Sequence, residues 1–82
     1  MNIGNEIIGI IKTEILQDDN LDLDAETDLL TSGTLDSMAV IRLVASMEQK
    51  YDIKIPPTDL VIENFLNVQS IEKYVMSMLS QK

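Results

Sequence analysis

The chain of 82 residues contains no cysteine, no histidine and no tryptophan. Without cysteine it can form no disulfide and offers no thiolate to a metal ion, which fits a reducing compartment. Without histidine it lacks the commonest general base and the commonest zinc ligand. We therefore expect no catalytic residue and no metal site, and we expect the protein not to be an enzyme.

Basic residues are also few, since six lysines and arginines stand against 14 acidic residues and leave a formal net charge of −8. The phosphate backbone of a nucleic acid would repel such a chain, so no nucleic acid is expected as a partner. No segment reaches the roughly 20 apolar residues of a transmembrane helix. The N-terminus also lacks the basic region before a long apolar run that marks a secretion signal. We expect no membrane insertion and a cytoplasmic location.

Aromatic residues number only three, namely Tyr51, Phe65 and Tyr74. The core must therefore consist mainly of isoleucine, leucine, valine and methionine. The chain shows no internal repeat, low-complexity tract or linker, and domains rarely fall below about 50 residues. We expect one domain over residues 1–82, acting as a monomer.

Apolar residues at helical spacing predict three long helices, over residues 3–16, 37–51 and 68–80. Asp36 and Asn67 are predicted as the N-caps of the second and third of these. A proline pushes the residue before it out of helical geometry, so Ile55 before Pro56 ends the central segment. A short helix is predicted near residues 61–66. The predicted fold is an all-α, small four-helix bundle with three long helices and one short.

The connection over residues 17–35 is long and polar, and connections of this length are often functional. We expect its leucines to pin it to the bundle, namely Leu21, Leu23, Leu29, Leu30 and Leu35. Its acids alternate like the start of a calcium-binding EF-hand loop from Asp18 onward. That loop requires Gly at its sixth position and Glu at its twelfth, where this chain has Leu23 and Leu29. Solvated loop acids are the better interpretation.

The second helix carries a further row of apolar residues beside its core stripe, consisting of Met38, Ile41 and Ala45. The core stripe itself is predicted to comprise Val40, Leu43, Val44, Met47 and Tyr51. A small domain does not normally leave a second row in water. Either the long loop covers it or it is kept for a partner, and the sequence leaves both open.

Ser37 is the candidate functional residue, at the predicted start of the second helix. An Asp-Ser pair there most often only caps a helix. A nucleophilic serine needs a base within reach, and the sequence places none near Ser37. The third interpretation is that Ser37 is itself modified, because a helix N-terminus suits a phosphate ester on a first-turn hydroxyl.

The segment 27–38 (TDLLTSGTLDSM), with the end of the second helix at 51–56 (YDIKIP), resembles the acyl carrier protein family. That family has an Asp-Ser-Leu or Asp-Ser-Met core after a glycine-containing loop, and the resemblance extends over the whole chain. It implies 4′-phosphopantetheine attached covalently to Ser37, with Asp36 as the acid of the motif. The arm would hold an acyl or aminoacyl group as a thioester and present it to partner enzymes.

The resemblance also implies the partners of such a carrier. A phosphopantetheinyl transferase using coenzyme A would attach the arm, a ligase would load the acyl or aminoacyl group, and a downstream transferase or synthase would receive it. Met38, Ile41 and Arg42 would form the docking face. Ala39 and Arg42 occupy positions where fatty-acid-synthesis members carry acids, so the chain is more similar to peptidyl- and aminoacyl-carrier members. A cofactor-free helical interaction module and a calcium-binding regulator are the alternatives.

Overall fold

The computed structural model describes residues 2–18, 20 and 22–81, and this part of the chain contains helices and no strand. Four α-helices follow one another along the chain: α1 (Ile3–Ile10), α2 (Ser37–Tyr51), α3 (Ile62–Phe65) and α4 (Val68–Ser80). A π-helical turn, Ile11–Ile15, continues α1, and a 3-10 turn, Pro57–Asp59, precedes α3. The predicted all-α bundle with one short helix is confirmed.

The first helix begins where the Asn2 side chain accepts a hydrogen bond from the backbone N–H of Asn5 at 3.0 Å. The expected single helix over 3–16 has a change of winding, because the backbone widens from α to π at Ile11. The Leu16 N–H donates to the carbonyl of Ile11 at 2.8 Å, a span of five residues instead of four. Ile10 is buried and Ile8 is only half-buried.

The core is a single cluster of aliphatic residues from all four helices and the loops, with Phe65 and Tyr51 as its buried aromatic side chains. Within the described residues no polar or charged residue other than Tyr51 belongs to it. Burial of such apolar surface contributes about 25 cal/mol per Å². The predicted core stripe of α2 is confirmed at Leu43, Val44, Met47 and Tyr51. Val40 is only half-buried and packs at the edge of the cluster.

The long connection between α1 and α2 lies against the bundle, as its leucines predicted. Leu23, Leu29 and Leu35 are buried and Leu30 is half-buried, while Leu21 lies outside the described residues. Two backbone hydrogen bonds fix the connection to the junction of α3 and α4: the Leu29 N–H donates to the Leu66 carbonyl at 2.7 Å, and the Gln69 N–H donates to the Ala25 carbonyl at 2.9 Å. The loop is therefore a packed part of the domain.

The chain leaves α2 through Asp52, whose backbone has the left-handed conformation (φ 54°) that ends many helices. The Glu48 carboxylate then accepts a hydrogen bond from the Ile55 N–H at 2.8 Å. Ile53 and Ile55 are buried on either side of the exposed Lys54. This turn sets the direction in which the chain runs toward α3.

Candidate functional site

Ser37 is the first residue of α2, and its position is set by the N-cap before it. Asp36 has an extended backbone (φ −90°, ψ −178°), and its Oδ1 accepts a hydrogen bond from the Ala39 N–H at 2.8 Å. Short side chains such as aspartate favour this geometry because they satisfy an N–H group that the helix itself leaves without a partner. The predicted capping role of Asp36 is confirmed, and Ser37 follows the cap as the first helical residue.

The Ser37 side chain is exposed to solvent. Within the described residues no hydrogen bond involves its hydroxyl. No base is therefore in place to activate Ser37, and no acceptor holds its hydroxyl in a structural role. An exposed hydroxyl of this kind is accessible to another enzyme. The positive end of the α2 dipole lies beside it and stabilises a negative group such as a phosphate ester.

A groove of about 290 Å³ opens beside Ser37, between α2 and the segment that contains α3. Apart from Ser37 its lining is entirely apolar, and it consists of Leu30, Val40, Ile41, Leu60, Val61, Ile62 and Phe65. We call this the Ser37 groove. Since one hydroxyl stands at an otherwise hydrocarbon-lined cleft, the site can receive an apolar group joined to the protein at Ser37.

The exposed apolar surface around the groove comes from two elements. On α2, Met38 is 65% exposed and Ile41 56% exposed, so the loop does not cover the second apolar row. On the other side of the groove, Val61 and Ile62 are 45% and 62% exposed. This contribution from α3 was not predicted from the sequence. The run Leu60-Val61-Ile62 was its only signal, and periodicity in so short an element does not show which side faces water.

Arg42 is exposed, as a docking residue must be, but it also has a contact within the domain. Its Nη2 donates a hydrogen bond to the backbone carbonyl of Glu14 at 3.2 Å. One turn further along α2, the Ser46 hydroxyl donates to the Glu14 carboxylate at 3.3 Å. Arg42 therefore helps to hold the end of the π-helical turn against α2.

The acids of the loop make local turns. Asp28 accepts hydrogen bonds from the N–H groups of Leu30 and Thr31 and from the Thr31 hydroxyl. The hydroxyl bond from Thr31 is the largest cause that lowers the pKa of Asp28 below the usual range. The backbone bond from Glu26 has the same effect on the pKa of Asp24. Among the described residues no three acidic side chains gather as a metal site would require.

Comparison with known proteins identifies relatives over nearly the whole chain. The family model described as "Phosphopantetheine attachment site" matches residues 5–75. Aminoacyl carrier protein 1 of Bradyrhizobium diazoefficiens is 32% identical over 80 residues, which cover 95% of this chain and 87% of that protein. Aminoacyl carrier protein 2 of the same organism is 25% identical over 80 residues, covering 96% and 89%.

The D-alanyl carrier protein of Streptococcus sanguinis is 37% identical over 59 residues, which cover 72% of each chain. Among solved structures, a chain from one described as "Crystal structure of FAD-dependent dehydrogenase" has a TM-score of 0.76 and 33% sequence identity. The match covers 84% of this chain and 97% of that chain. Within the described residues no helix has the length and apolar character needed to cross a membrane.

Proposed function

Since this chain belongs to the phosphopantetheine-attachment family and is a phosphopantetheine-dependent carrier protein, we propose that Ser37 is the residue that carries the arm. The observation on which this proposal depends is the exposed Ser37 hydroxyl at the first position of α2, which makes no hydrogen bond within the described residues. Ser37 also lies inside the matched range 5–75. The attachment would be a phosphodiester between the Ser37 oxygen and the 4′-phosphopantetheine phosphate.

The surroundings of Ser37 fit such an arm in charge and in polarity. A phosphodiester on Ser37 would stand at the N-terminus of α2, where unpaired N–H groups and the helix dipole favour an anion. The Ser37 groove begins at the same residue and offers hydrocarbon surface. The phosphopantetheine arm would bring the reactive thiol, while this chain would supply attachment and recognition without being catalytic itself.

We propose an amino acid as the bound group. Two observations support this proposal. Three relatives bear the names aminoacyl and D-alanyl carrier protein, and α2 has Ala39 and Arg42 at positions where fatty-acid-synthesis members carry acids. The partners would then be a phosphopantetheinyl transferase that uses coenzyme A, an aminoacyl-loading ligase and a downstream transferase or synthase. Coenzyme A is a cytoplasmic metabolite, so we place the carrier in the cytoplasm, as a monomer.

The docking face would consist of Met38, Ile41 and Arg42 on α2, extended across the groove by Val61 and Ile62. The exposure of the four apolar members supports this assignment. A partner that covers these residues also covers Ser37 and can reach a group attached there. Once the carrier is docked, attachment makes the reaction effectively intramolecular, with local concentrations on the order of millimolar.

The decisive experiment is modification of the purified protein by a permissive phosphopantetheinyl transferase with coenzyme A. Wild type should gain the mass of one arm, Ser37→Ala should gain none, and the control Ser77→Ala should behave as wild type. Ser77 is also an exposed helical serine, but it lies on α4. Because the chain has no cysteine, a thiol-reactive label should react with modified protein only.

The stability of Ser37→Ala separates the two roles of a serine at a helix start. Its hydroxyl has no partner among the described residues, so the free energy of unfolding should change by less than about 0.5 kcal/mol.

In the modification experiment, an unmodified wild type, or modification of Ser37→Ala, would overturn the assignment of Ser37. The first of these results is what a cofactor-free helical interaction module predicts.

A further inference from the structure

The segment over residues 57–65 forms one side of the Ser37 groove, and its own secondary structure is weak. It contains the 3-10 turn Pro57–Asp59 and the four-residue helix α3, whose N-cap makes no side-chain hydrogen bond. Helices this short are unstable by themselves, because nucleation costs more than a few hydrogen bonds return. The position of this segment must therefore come from contacts with other parts of the domain.

One side chain of α4 contacts both ends of the segment. The Tyr74 hydroxyl donates a hydrogen bond to the Asp59 Oδ2 at 2.6 Å, at the end of the 3-10 turn. The Tyr74 ring lies 5.9 Å from the Phe65 ring, centroid to centroid, at an angle of 47°. Aromatic pairs at this separation attract one another. Tyr74 thus holds the first and last parts of the segment to α4.

The same segment supplies half of the groove. Leu60, Val61, Ile62 and Phe65 line it opposite Ser37 and the α2 residues. Within the segment, the Asn64 side chain donates to the Asp59 carbonyl at 2.9 Å, so Asp59 and α3 are linked to each other. A displacement of Asp59 would therefore be passed on to the residues that face Ser37.

We propose that Tyr74 is a positioning residue, which through Asp59 and Phe65 fixes the α3 side of the Ser37 groove for partner enzymes. The inference rests on the proposed function of Ser37, although Tyr74 does not line the groove itself. Burial and the neighbouring Asp59 carboxylate raise the pKa of Tyr74, so its hydroxyl keeps its proton and donates at neutral pH.

Tyr74→Phe tests the proposal, because it removes the hydroxyl and keeps the ring. The chain offers a matched control, since the Tyr51 hydroxyl donates to the Glu6 carboxylate at 2.8 Å, outside the groove. Tyr51→Phe therefore removes a bond of the same chemical kind. In native-state hydrogen exchange, Tyr74→Phe should raise exchange of the amides of residues 59–64 about tenfold relative to wild type. Tyr51→Phe should leave those amides unchanged.

The functional readout is the steady-state kinetics of a phosphopantetheinyl transferase, with the carrier as the varied substrate. Tyr74→Phe should raise the KM for the carrier about three- to tenfold while kcat and the final extent of modification stay at wild-type values. Asp59→Ala should raise the KM by a similar factor. Asp59→Asn keeps an oxygen acceptor for the Tyr74 hydroxyl, so its KM should stay close to the wild-type value.

Two failures of this experiment have different meanings. If wild type gains no arm, the proposed role of Ser37 is wrong. If wild type is modified but Tyr74→Phe matches Tyr51→Phe in both exchange and KM, Ser37 stands and the positioning role of Tyr74 is overturned. Equal unfolding temperatures of the two phenylalanine variants, with different KM values, would support the proposal, because general stability would then not explain the difference.

Discussion

The Glu72 carboxylate on α4 accepts a hydrogen bond from the backbone N–H of Gly4 at 3.1 Å, 68 residues away in the sequence. The acceptor satisfies one of the N–H groups that the first turn of α1 leaves without a partner. Its negative charge also lies at the favourable end of the α1 dipole. The last helix thus caps the first, and the approach is close because position 4 has no side chain.

The two glycines of α1 should respond differently to replacement by alanine. Among the described residues, a Cβ at Gly9 would meet no atom within 4 Å beyond its chain neighbours and the backbone of its own helix, whereas one at Gly4 would lie 3.2 Å from the Glu72 carboxylate. Gly9→Ala should raise the free energy of unfolding by about 0.5–1 kcal/mol, because alanine favours the helix. Gly4→Ala should gain less or lose stability, since the carboxylate has to move.

Urea denaturation measures both glycine substitutions, and a double-mutant cycle isolates the contact. In a Glu72→Ala background, Gly4→Ala should recover the gain seen for Gly9→Ala, because the crowded atoms are then absent. An equal gain at both positions in the wild-type background would contradict the proposed close approach.

Asp36 combines a capping role with a proposed role as the acid of the attachment motif, and two substitutions separate them. Asparagine caps helices as well as aspartate does, so Asp36→Asn should stay within about 0.5 kcal/mol of wild type, whereas Asp36→Ala should lose about 1 kcal/mol. Asp36→Asn should nevertheless be modified more slowly by the transferase. Modification at the wild-type rate would limit Asp36 to capping.

Ile41 is the residue with which to test the docking face, because it is 56% exposed and lines the Ser37 groove. Ile41→Glu should change the free energy of unfolding by no more than about 0.5 kcal/mol. It should lower kcat/KM for transferase modification, since a charge would meet a partner's apolar surface. Ala45→Glu adds the same charge one turn further along α2 and outside the groove, and it should have the smaller effect. Equal effects would indicate a general response to charge.

The turn at Asp28 should weaken in acid. Its pKa is lowered in the folded protein by the Thr31 hydroxyl and by backbone N–H groups. A lowered folded-state pKa means that the stabilisation is fully present above the ordinary aspartate value of about 4, and is lost as the pH falls through the folded value. Asp28→Asn should therefore be less stable than wild type at pH 7. The difference should shrink on acidification below about pH 4, as followed by urea denaturation across pH. A difference that does not change with pH would contradict this role.

The parts of the fold that depend on neighbours in sequence were predictable. Asp36 and Asn67 mark the starts of α2 and α4 because an N-cap contacts N–H groups only three residues away. Both helices have the expected bounds, 37–51 and 68–80, since their apolar stripes keep the helical period throughout. The buried leucines of the loop, Leu23, Leu29 and Leu35, were predictable from their apolar side chains in an otherwise polar segment.

The features that depend on distant contacts were not predictable. The widening at Ile11 changes which carbonyl accepts a hydrogen bond, without changing the residue types that a helix favours. Val40 follows the core period, yet it lines the groove, because nothing on the α3 side covers it fully. The contact of Tyr74 with Asp59 joins two elements whose approach depends on the packing of the whole domain.

The buried residues of α2 begin at Leu43, and they secure the helix to the bundle from its second turn onward. An arm on Ser37 would thus swing from the exposed end of an anchored helix, and the distance its thiol could sweep would be set mainly by the length of the arm. Catalytic centres that lie further apart than twice that length can be served in turn only if the whole carrier travels between them. Release from each enzyme is then as much a part of the working cycle as binding.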